Sequence, residues 1–199
     1  MEYLNINKKL WNDRTEVHYN SDFYEVVSFL KGEDTLNSIE LELLGDIKGK
    51  TILHLQCHFG MDSISLSRKG GIVTGVDFSS ASILKANELR DKLGVNTRFI
   101  ESDIDSLDKV LNEKFEIVFS SYGVVCWHPD IRKWASVIKQ FLKPQGKFVM
   151  AEFHPVVSMF SDDFKEVVYN YMDHSPVVEE IYDTYTDRES EIVRGLSVE

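Results

Sequence analysis

The sequence has few cysteines and no long apolar run. Cys57 and Cys126 are the only cysteines in 199 residues, and they form neither a CxxC pair nor a zinc-ligand spacing. This pattern indicates no disulfide framework and no metal site, and it predicts a reduced, cytoplasmic compartment. No run approaches the ~20 apolar residues of a membrane span, so no membrane partner is expected. The first residues, MEYLNINKKLW, lack the apolar core of a signal peptide.

Basic residues are also few. Lys and Arg number 22 against 33 Asp and Glu, which gives a net charge of −11. Nucleic-acid binding depends on basic side chains that neutralise phosphates, so this balance gives no general attraction to nucleic acid, although a local basic patch is not excluded. An apolar content of 43% is ordinary for a soluble globular protein, and 199 residues predict one domain. A small molecule is therefore a more natural partner than a nucleic acid.

A strand–helix–strand pattern organises the chain. Thr51–Leu55 and Ile72–Val76 are short apolar runs typical of buried parallel strands, and Met61–Lys69 between them has the spacing of a short helix. Such a unit predicts an α/β fold, whose ligands bind at the carboxyl ends of the strands. Gly60 and Asp77 both lie there. Gly60 can take a positive φ, and without a Cβ it lets a ligand approach the backbone.

A dinucleotide or a P-loop nucleotide does not fit this turn. The G-x-G-x-x-G fingerprint would need glycine at Gln56, His58 and Met61, where side chains obstruct a pyrophosphate. Gly49-Lys50-Thr51 has the last three letters of a Walker loop, but the first glycine is missing and the motif precedes the strand. NAD and FAD are therefore disfavoured.

A nucleoside without phosphates fits the same turn better. Asp77 can accept two hydrogen bonds from ribose hydroxyls, and the helix beginning at Met61 offers free N–H groups and a positive dipole end to a carboxylate. Gln56 and His58 add side-chain donors. A ligand with a ribose, an adenine and an amino-acid carboxylate is S-adenosylmethionine, which is the predicted cofactor.

Five segments carry a resemblance to a known family. LHLQCHFGMDSISL, VTGVDFS, FIESDI, FEIVFSSYGVVCWHPD and LKPQGKFVMAEFHP occur in order between about Trp11 and Pro155. With them the chain resembles the class I S-adenosylmethionine-dependent methyltransferases, and more narrowly a bacterial subgroup with an LHLQCHFG turn. His54 stands where the wider class has an acid, and Gln56 and His58 replace two of its glycines, a departure that the subgroup shares. The resemblance implies a Rossmann-like doubly wound sheet with strand order 3-2-1-4-5.

The resemblance also implies roles for residues that follow the later strands. Asp103 accepts the adenine amino group and the Ile104 N–H meets a ring nitrogen, although Asp103 can equally serve as a helix N-cap. Ser121 and Tyr122 lie next to the sulfonium. The full set of cofactor-binding candidates is Trp11, Tyr24, Gln56, His58, Gly60, Asp77, Phe78, Asp103, Ile104, Ser121 and Tyr122.

The chain is expected to be a single methyltransferase domain in three parts. Residues 1–48 form an N-terminal helical cap, in which Trp11 and Tyr24 either touch the ligand or anchor the cap to the core. Residues 49–155 form the Rossmann-like core, and residues 156–199 an incomplete C-terminal region whose strands are missing or irregular. An exposed sheet edge there would favour self-association, so a homodimer is expected.

The predicted reaction is in-line methyl transfer to a small-molecule acceptor, for which the protein mainly supplies orientation. A general base is needed only for a protonated acceptor; the candidates are His154 and Tyr122, with His128 a weaker third, and each also has a structural interpretation. Two alternatives stay open. One is a non-catalytic module that binds S-adenosylmethionine or S-adenosylhomocysteine. The other is a macromolecule methyltransferase, which the absence of an Asn-Pro-Pro-Tyr-like tetrad at residues 120–123 disfavours.

Overall fold

Five short segments pair side by side into one parallel sheet. In the computed structural model, which describes residues 2–161, 163–173, 175–190 and 195–198, the strands lie in the order β3-β2-β1-β4-β5. Their bounds are Thr51–Leu55 (β1), Ile72–Asp77 (β2), Arg98–Glu101 (β3), Phe115–Ser121 (β4) and Leu142–Ala151 (β5). The α/β class and the strand order predicted from the sequence are confirmed.

Helices cover both faces of this sheet. Ile52 and Leu53 are adjacent on β1, so their side chains point to opposite faces, and both are fully buried. Leu53 packs in one core cluster with Trp134, whereas Ile52 packs in another with Leu44 and Leu66. A strand covered on both faces must be apolar throughout, which explains the unbroken apolar run in the sequence.

Among the residues that the structure describes, six α-helices connect or precede the strands. Their bounds are Glu2–Asn20 (α1), Val26–Leu30 (α2), Ser38–Leu44 (α3), Met61–Arg68 (α4), Ser80–Leu93 (α5) and Ile131–Phe141 (α6). Short 3₁₀ helices lie at Asp22–Tyr24, Ile104–Lys109, Val125–Trp127 and Pro155–Met159. Within the part of the chain that the structure describes, no helix is both long enough and apolar enough to cross a membrane.

One helix begins later than the sequence predicts. Asp34 is a plausible N-cap for a helix from Thr35, but α3 begins at Ser38, with Asn37 as its N-cap. The Asp34 carboxylate instead accepts a hydrogen bond from the Leu36 N–H at 3.0 Å. Asp often bonds its own backbone two residues on, and this turn competes with the first turn of a helix.

The C-terminal region contains a second, separate sheet. β6 (Val178–Ile181) and β7 (Gly195–Val198) pair antiparallel and do not join the parallel sheet. Asn7 of α1 holds β7, because its side-chain amide donates to the Val198 carbonyl at 2.8 Å and accepts from the Val198 N–H at 3.0 Å. The sequence predicts missing or irregular strands in this region; the structure has a separate pair, of which β7 lies against α1.

Candidate functional site

A cleft of about 1160 Å³ opens at the carboxyl ends of the central strands. The turn after β1, the residues that follow β2 and β4, and side chains of the amino-terminal helices line it. The structure brings all the predicted cofactor-binding residues to this cleft: Trp11, Tyr24, Gln56, His58, Gly60, Asp77, Phe78, Asp103, Ile104, Ser121 and Tyr122. The predicted base His154 is not among the described residues that line it.

The turn after β1 holds two side chains in an unfavourable backbone conformation. Gln56 and His58 have φ values of 55° and 49°, in the left-handed region that favours glycine. Each costs roughly 1–2 kcal/mol relative to an ordinary conformation. The turn is closed by backbone hydrogen bonds from Cys57 to Val76 (2.9 Å) and from Gly60 to Cys57 (2.8 Å). The side chains at these two positions must therefore be explained by what they contact.

Gln56 lines the cleft, and one acceptor of its side chain is unused among the described residues. Its Nε2 donates to the Val124 carbonyl at 3.1 Å. Its Oε1 is buried and has no hydrogen-bond partner among the described residues. A buried acceptor without a donor costs about 1–3 kcal/mol, so a bound ligand with an N–H or O–H group would relieve that cost.

His58 belongs to a directed chain of hydrogen bonds. Thr15 donates its single hydroxyl proton to the Trp11 carbonyl at 2.8 Å, so its oxygen must accept from Ser82, 2.8 Å away. Ser82 has then used its own proton and must accept from Nδ1 of His58 at 2.9 Å. His58 is therefore the Nδ1–H tautomer, and its Nε2 carries a lone pair.

The chain of hydrogen bonds continues from His58 into α1, with the donor and acceptor roles again fixed. Nε2 of His58 lies 3.0 Å from Nδ1 of His18, which must donate, and Nε2 of His18 accepts from Thr184 at 2.6 Å. Burial lowers the pKa of His18 to about 3, with the positive charge of Arg14 acting in the same direction. Burial also lowers the pKa of His58 well below its ordinary value. Both rings are thus neutral near pH 7, and they connect α1, the β1 turn and residue 184.

Asp77 is the acceptor that holds two loops at the end of β2. Its Oδ2 accepts from the His58 N–H at 2.8 Å, and its Oδ1 from the Ser79 N–H at 2.9 Å. Each carboxylate oxygen keeps a second lone pair. Burial raises the pKa of Asp77 to about 6, and the backbone N–H groups of Ser79, His58 and Phe78 oppose this rise. The group is ionised at neutral pH and can accept two further hydrogen bonds.

Gly60 has no room for a side chain, because its neighbours pack against the position that a Cβ would take. A Cβ built there would lie 2.5 Å from two ring carbons of Phe99 and 3.1 Å from Cβ of Ala86. The sequence predicts that the missing Cβ lets a ligand approach the backbone, and the structure shows that Phe99 and Ala86 fill the space that a Cβ would occupy. Gly60 nevertheless lines the cleft, with a φ of 78°.

Asp103 and Ile104 follow β3 on the same cleft. Asp103 occupies the N-cap position of the 3₁₀ helix Ile104–Lys109, but its side chain makes no capping hydrogen bond. The cap interpretation of this carboxylate is therefore not supported by its contacts. Ile104 is buried and shares the cleft wall with Phe78 and Trp127.

Tyr122 directly follows β4 in a strained backbone conformation. Its φ is 27°, and Gly123 follows with a φ of 70°. The Glu152 carboxylate fixes this corner, because it accepts from the N–H groups of Gly123, Val124 (2.8 Å) and Val125 (3.2 Å). The corner is thus held in place beside the cleft, as expected for a functional turn.

Two carboxylates that were not predicted as site residues lie near Tyr122. Asp62, in the first turn of α4, accepts from the Ser121 hydroxyl at 3.2 Å, and burial raises its pKa to about 6. Glu40, on α3, is 1% exposed. The spacing of α3 gives no signal for Glu40, because burial of an acid depends on what the fold packs against it. Asp62 could have been predicted as a site residue, because it lies two residues after Gly60, where the predicted ligand-binding turn leads into α4.

The predicted bases differ in their surroundings. Nδ1 of His154 accepts from the Val156 N–H at 3.2 Å, so the ring caps the 3₁₀ helix that follows. His128 lines the cleft, and burial lowers its pKa to about 4. Tyr122 also lines the cleft, and burial and the charge of Glu40 raise its pKa.

Comparison with known proteins agrees with this geometry. Residues 52–146 match the methyltransferase domain family. Over its described length the fold is similar to the solved DhpI–SAH complex, with a TM-score of 0.60 at 16% identity, covering 99% of this chain and 79% of the other. It is also similar to PH0226 from Pyrococcus horikoshii OT3, with a TM-score of 0.52 at 27% identity, covering 67% and 56%. The core of the chain, residues 52–146, is thus similar to the methyltransferase domain family, and the fold is that of the class I methyltransferases.

Curated relatives match the same core. Phosphoethanolamine N-methyltransferase 1 of Triticum aestivum is 29% identical over 118 residues, which is 57% of this chain and 24% of the relative. The ubiquinone biosynthesis O-methyltransferase of Coxiella burnetii is 27% identical over 129 residues, which is 63% of this chain and 54% of the relative. The matches thus span about half or less of these relatives, which differ from each other in the atom they methylate.

Proposed function

We propose that the chain binds S-adenosylmethionine and transfers its methyl group to a small-molecule acceptor. The observation that carries this proposal is the convergence of Asp77, Asp103 and Tyr122, from the ends of three different strands, on one cleft. Ligands of parallel α/β sheets bind at this edge. The cleft volume of about 1160 Å³ leaves room for a cofactor and a small acceptor together.

The residues present fit this cofactor. Asp77 accepts the two ribose hydroxyls, and Asp103 with the Ile104 N–H takes the adenine edge. The free N–H groups at the start of α4 hold the cofactor carboxylate. Its ammonium group lies against Asp62 and Oε1 of Gln56, the buried acceptor without a donor among the described residues. Trp11 and Tyr24 close the cleft from the amino-terminal side.

Methyl transfer requires the protein to do little more than position the acceptor. The cofactor supplies a methyl group on a positively charged sulfur, which is a good leaving group. The protein holds the acceptor in line with the methyl–sulfur bond, a contribution that can reach about 7–11 kcal/mol. Tyr122, at the fixed corner after β4, is the described side chain that we assign to the reacting end of the cleft.

Several finer points stay predictions. They are the LHLQCHFG subgroup, the division into residues 1–48, 49–155 and 156–199, a cytoplasmic location and a homodimer. A non-catalytic binding module and a macromolecule methyltransferase are the competing functions. A labelled-methyl assay over a metabolite panel separates an enzyme from a binder, and parallel incubation with nucleic acid and protein extracts tests a macromolecular acceptor.

Replacing Asp103 with alanine is expected to weaken S-adenosylhomocysteine binding about tenfold, because a hydrogen bond to a charged group contributes about 1.5–3 kcal/mol. Isothermal titration measures the effect. Asp108→Ala is the matched control, since Asp108 lies exposed on the same 3₁₀ helix and does not line the cleft. Equal affinity of both variants would show that Asp103 does not contact the cofactor, and wild-type protein that binds NADH but not S-adenosylhomocysteine would overturn the cofactor assignment.

Cofactor affinity is expected to fall as the pH drops through 6. Burial raises the pKa of Asp77 and of Asp62 to about 6 in the free protein. Cofactor donors prefer the ionised carboxylates, so below pH 6 each group must lose a proton on binding, at a cost of up to about tenfold in affinity per pH unit. Above about pH 7 the affinity should level off. Titrations from pH 5 to 8 measure this, and a flat profile would contradict it.

A further inference from the structure

The wall of the cleft that follows β5 is apolar and exposed to water. Phe153, Val157 and Phe164 all line the cleft. Phe153 is nevertheless 60% exposed, and Phe164 is 63% exposed. Large aromatic side chains usually pack in the core, and exposed ones that adjoin a cleft are typical of ligand-binding grooves. We call these three residues the apolar wall.

The strand order places the apolar wall next to the reacting end of the cleft. Asp103 follows β3, Asp77 ends β2 and Tyr122 follows β4, in the sheet order 3-2-1-4-5. Phe153 follows β5, the next strand beyond Tyr122, and the two ring centroids are 5.4 Å apart. The cofactor proposed above extends from Asp103 to Tyr122. The apolar wall therefore lies beyond its methyl group and not along its adenosine.

Phe164 keeps its ring on this wall in an unfavourable backbone conformation. Its φ is 59°, in the left-handed region that a bulky residue rarely adopts. The ring contacts that of Phe160 at a centroid distance of 6.4 Å but stays largely exposed, so packing within the protein compensates little of the strain. A side chain that is held at such a cost indicates a functional contact.

The charges of the cleft disfavour an anionic acceptor. Among the described residues that line it, the charged side chains are acidic apart from Arg14, which lies on α1 and packs over the Trp11 ring at 5.2 Å. Burial lowers the pKa of His58 and of His128, so these rings add no positive charge at neutral pH. A wall of one sign repels ligands of the same sign.

A cationic acceptor lacks a counter-ion near Tyr122. Glu40 accepts from Nδ2 of Asn37 at 3.2 Å and is hydrogen-bonded to the Tyr122 hydroxyl. Asp62 accepts from the Ser121 hydroxyl at 3.2 Å and is assigned above to the ammonium group of the cofactor. The acids that line this end of the described cleft thus have donors already, and an uncharged acceptor fits it best.

We therefore propose that the methyl acceptor is an uncharged molecule with an aromatic or alkyl body, which lies against Phe153, Val157 and Phe164. This proposal rests on the proposed function, since it assigns the second ligand of the same cleft. The lone pair of the acceptor atom forms the bond to the methyl carbon, and the electrons of the broken C–S bond stay on sulfur. A proton carried by the acceptor atom passes to water.

The test uses protein saturated with S-adenosylhomocysteine at pH 7.5. Isothermal titration compares phenols and straight-chain alcohols of increasing length with the amines and carboxylates of the same carbon skeletons. We expect saturable binding that is tightest for the uncharged series. Each added methylene that the wall buries should tighten binding about three- to fourfold, because burial of a CH₂ group stabilises the complex.

Two variants test the wall itself. Phe164→Gly removes the ring and also the backbone strain, so we expect about tenfold weaker binding of the uncharged series with an equal or higher midpoint of thermal unfolding. A merely structural ring would instead lower that midpoint. Phe153→Ala should weaken binding by a similar factor. The control is Met172→Ala, which is 71% exposed and does not line the described cleft, and it should bind as the wild type does.

The outcomes separate this proposal from the one on which it rests. If S-adenosylhomocysteine fails to bind the wild type, the proposed function fails. If it binds but no uncharged compound does, if amines or carboxylates bind more tightly, or if both wall variants keep wild-type affinity, only the acceptor assignment is overturned. If size exclusion shows a dimer that both variants dissociate, the wall is an interface between copies and the assignment is also overturned. Weaker acceptor binding in both variants, with unchanged S-adenosylhomocysteine affinity, supports it.

Discussion

Asp77→Asn is expected to weaken cofactor binding about a hundredfold. The wild-type carboxylate already accepts N–H groups from His58 and Ser79 and has two lone pairs left for the ribose hydroxyls. Asparagine has one acceptor oxygen and no charge, and its NH₂ group would face a backbone donor. Two hydrogen bonds to an ionised group contribute about 1.5–3 kcal/mol each, so losing part of both accounts for an effect of this size. Isothermal titration with S-adenosylmethionine measures it.

The control for this variant is Glu101→Gln. Glu101 pairs with Asp77 across β2 and β3, but it is exposed, forms an ion pair with Lys8 at 2.6 Å and does not line the cleft. It should retain wild-type affinity. Because Asp77 also holds two loops, thermal unfolding of both variants must accompany the titration. A folded Asp77→Asn protein with unchanged affinity would contradict the proposed ribose contact.

Gly60→Ala is expected to destabilise the protein by about 3 kcal/mol, since overpacking and a left-handed backbone both contribute. The new Cβ would lie 2.5 Å from two ring carbons of Phe99, a distance that Cβ atoms do not adopt, and 3.1 Å from Cβ of Ala86. Phe99 packs against the cluster around Phe59 and Leu89, so its ring has little room to move. Urea unfolding measures the change in the free energy of unfolding.

Gly94→Ala separates the cost of the left-handed backbone from the cost of overpacking. Gly94 ends α5 with a φ of 62°, but nothing lies within 4 Å of the Cβ position. It should cost only the backbone strain of about 1–2 kcal/mol. Adding Phe99→Leu to Gly60→Ala should recover part of the stability by removing the clash. Equal losses at both glycines would show that Phe99 adapts.

The core of the fold was predictable because its signals are local. The apolar runs at Thr51–Leu55 and Ile72–Asp77 form strands with nearly the predicted bounds, since buried parallel strands need little besides apolar residues. The start of α3 was missed because Asp34 bonds the Leu36 N–H, and sequence alone does not decide between a turn and a helix cap.

The site was predictable only in part. Asp77 ends β2 and Asp103 follows β3, so their place at the carboxyl edge follows from topology. Glu40 and His18 lie on amino-terminal helices, and their burial depends on how those helices pack over the cleft. His154 was placed near the cleft by its position after β5, but its ring bonds to Val156. Contacts that depend on helix orientation have no signature in residue spacing.

The two hydrogen bonds between Asn7 and Val198 can form only late in the synthesis of the chain. The two residues are 191 positions apart, and ribosomes add roughly 5–20 residues per second, so roughly 10–40 s pass between the synthesis of one and of the other. The hydrogen bond between His18 and Thr184 forms almost as late. α1 is therefore synthesised well before it can gain these two partners. A nascent chain arrested before residue 184 would contain the strands of the parallel sheet but not the contacts of α1 with Thr184 and Val198.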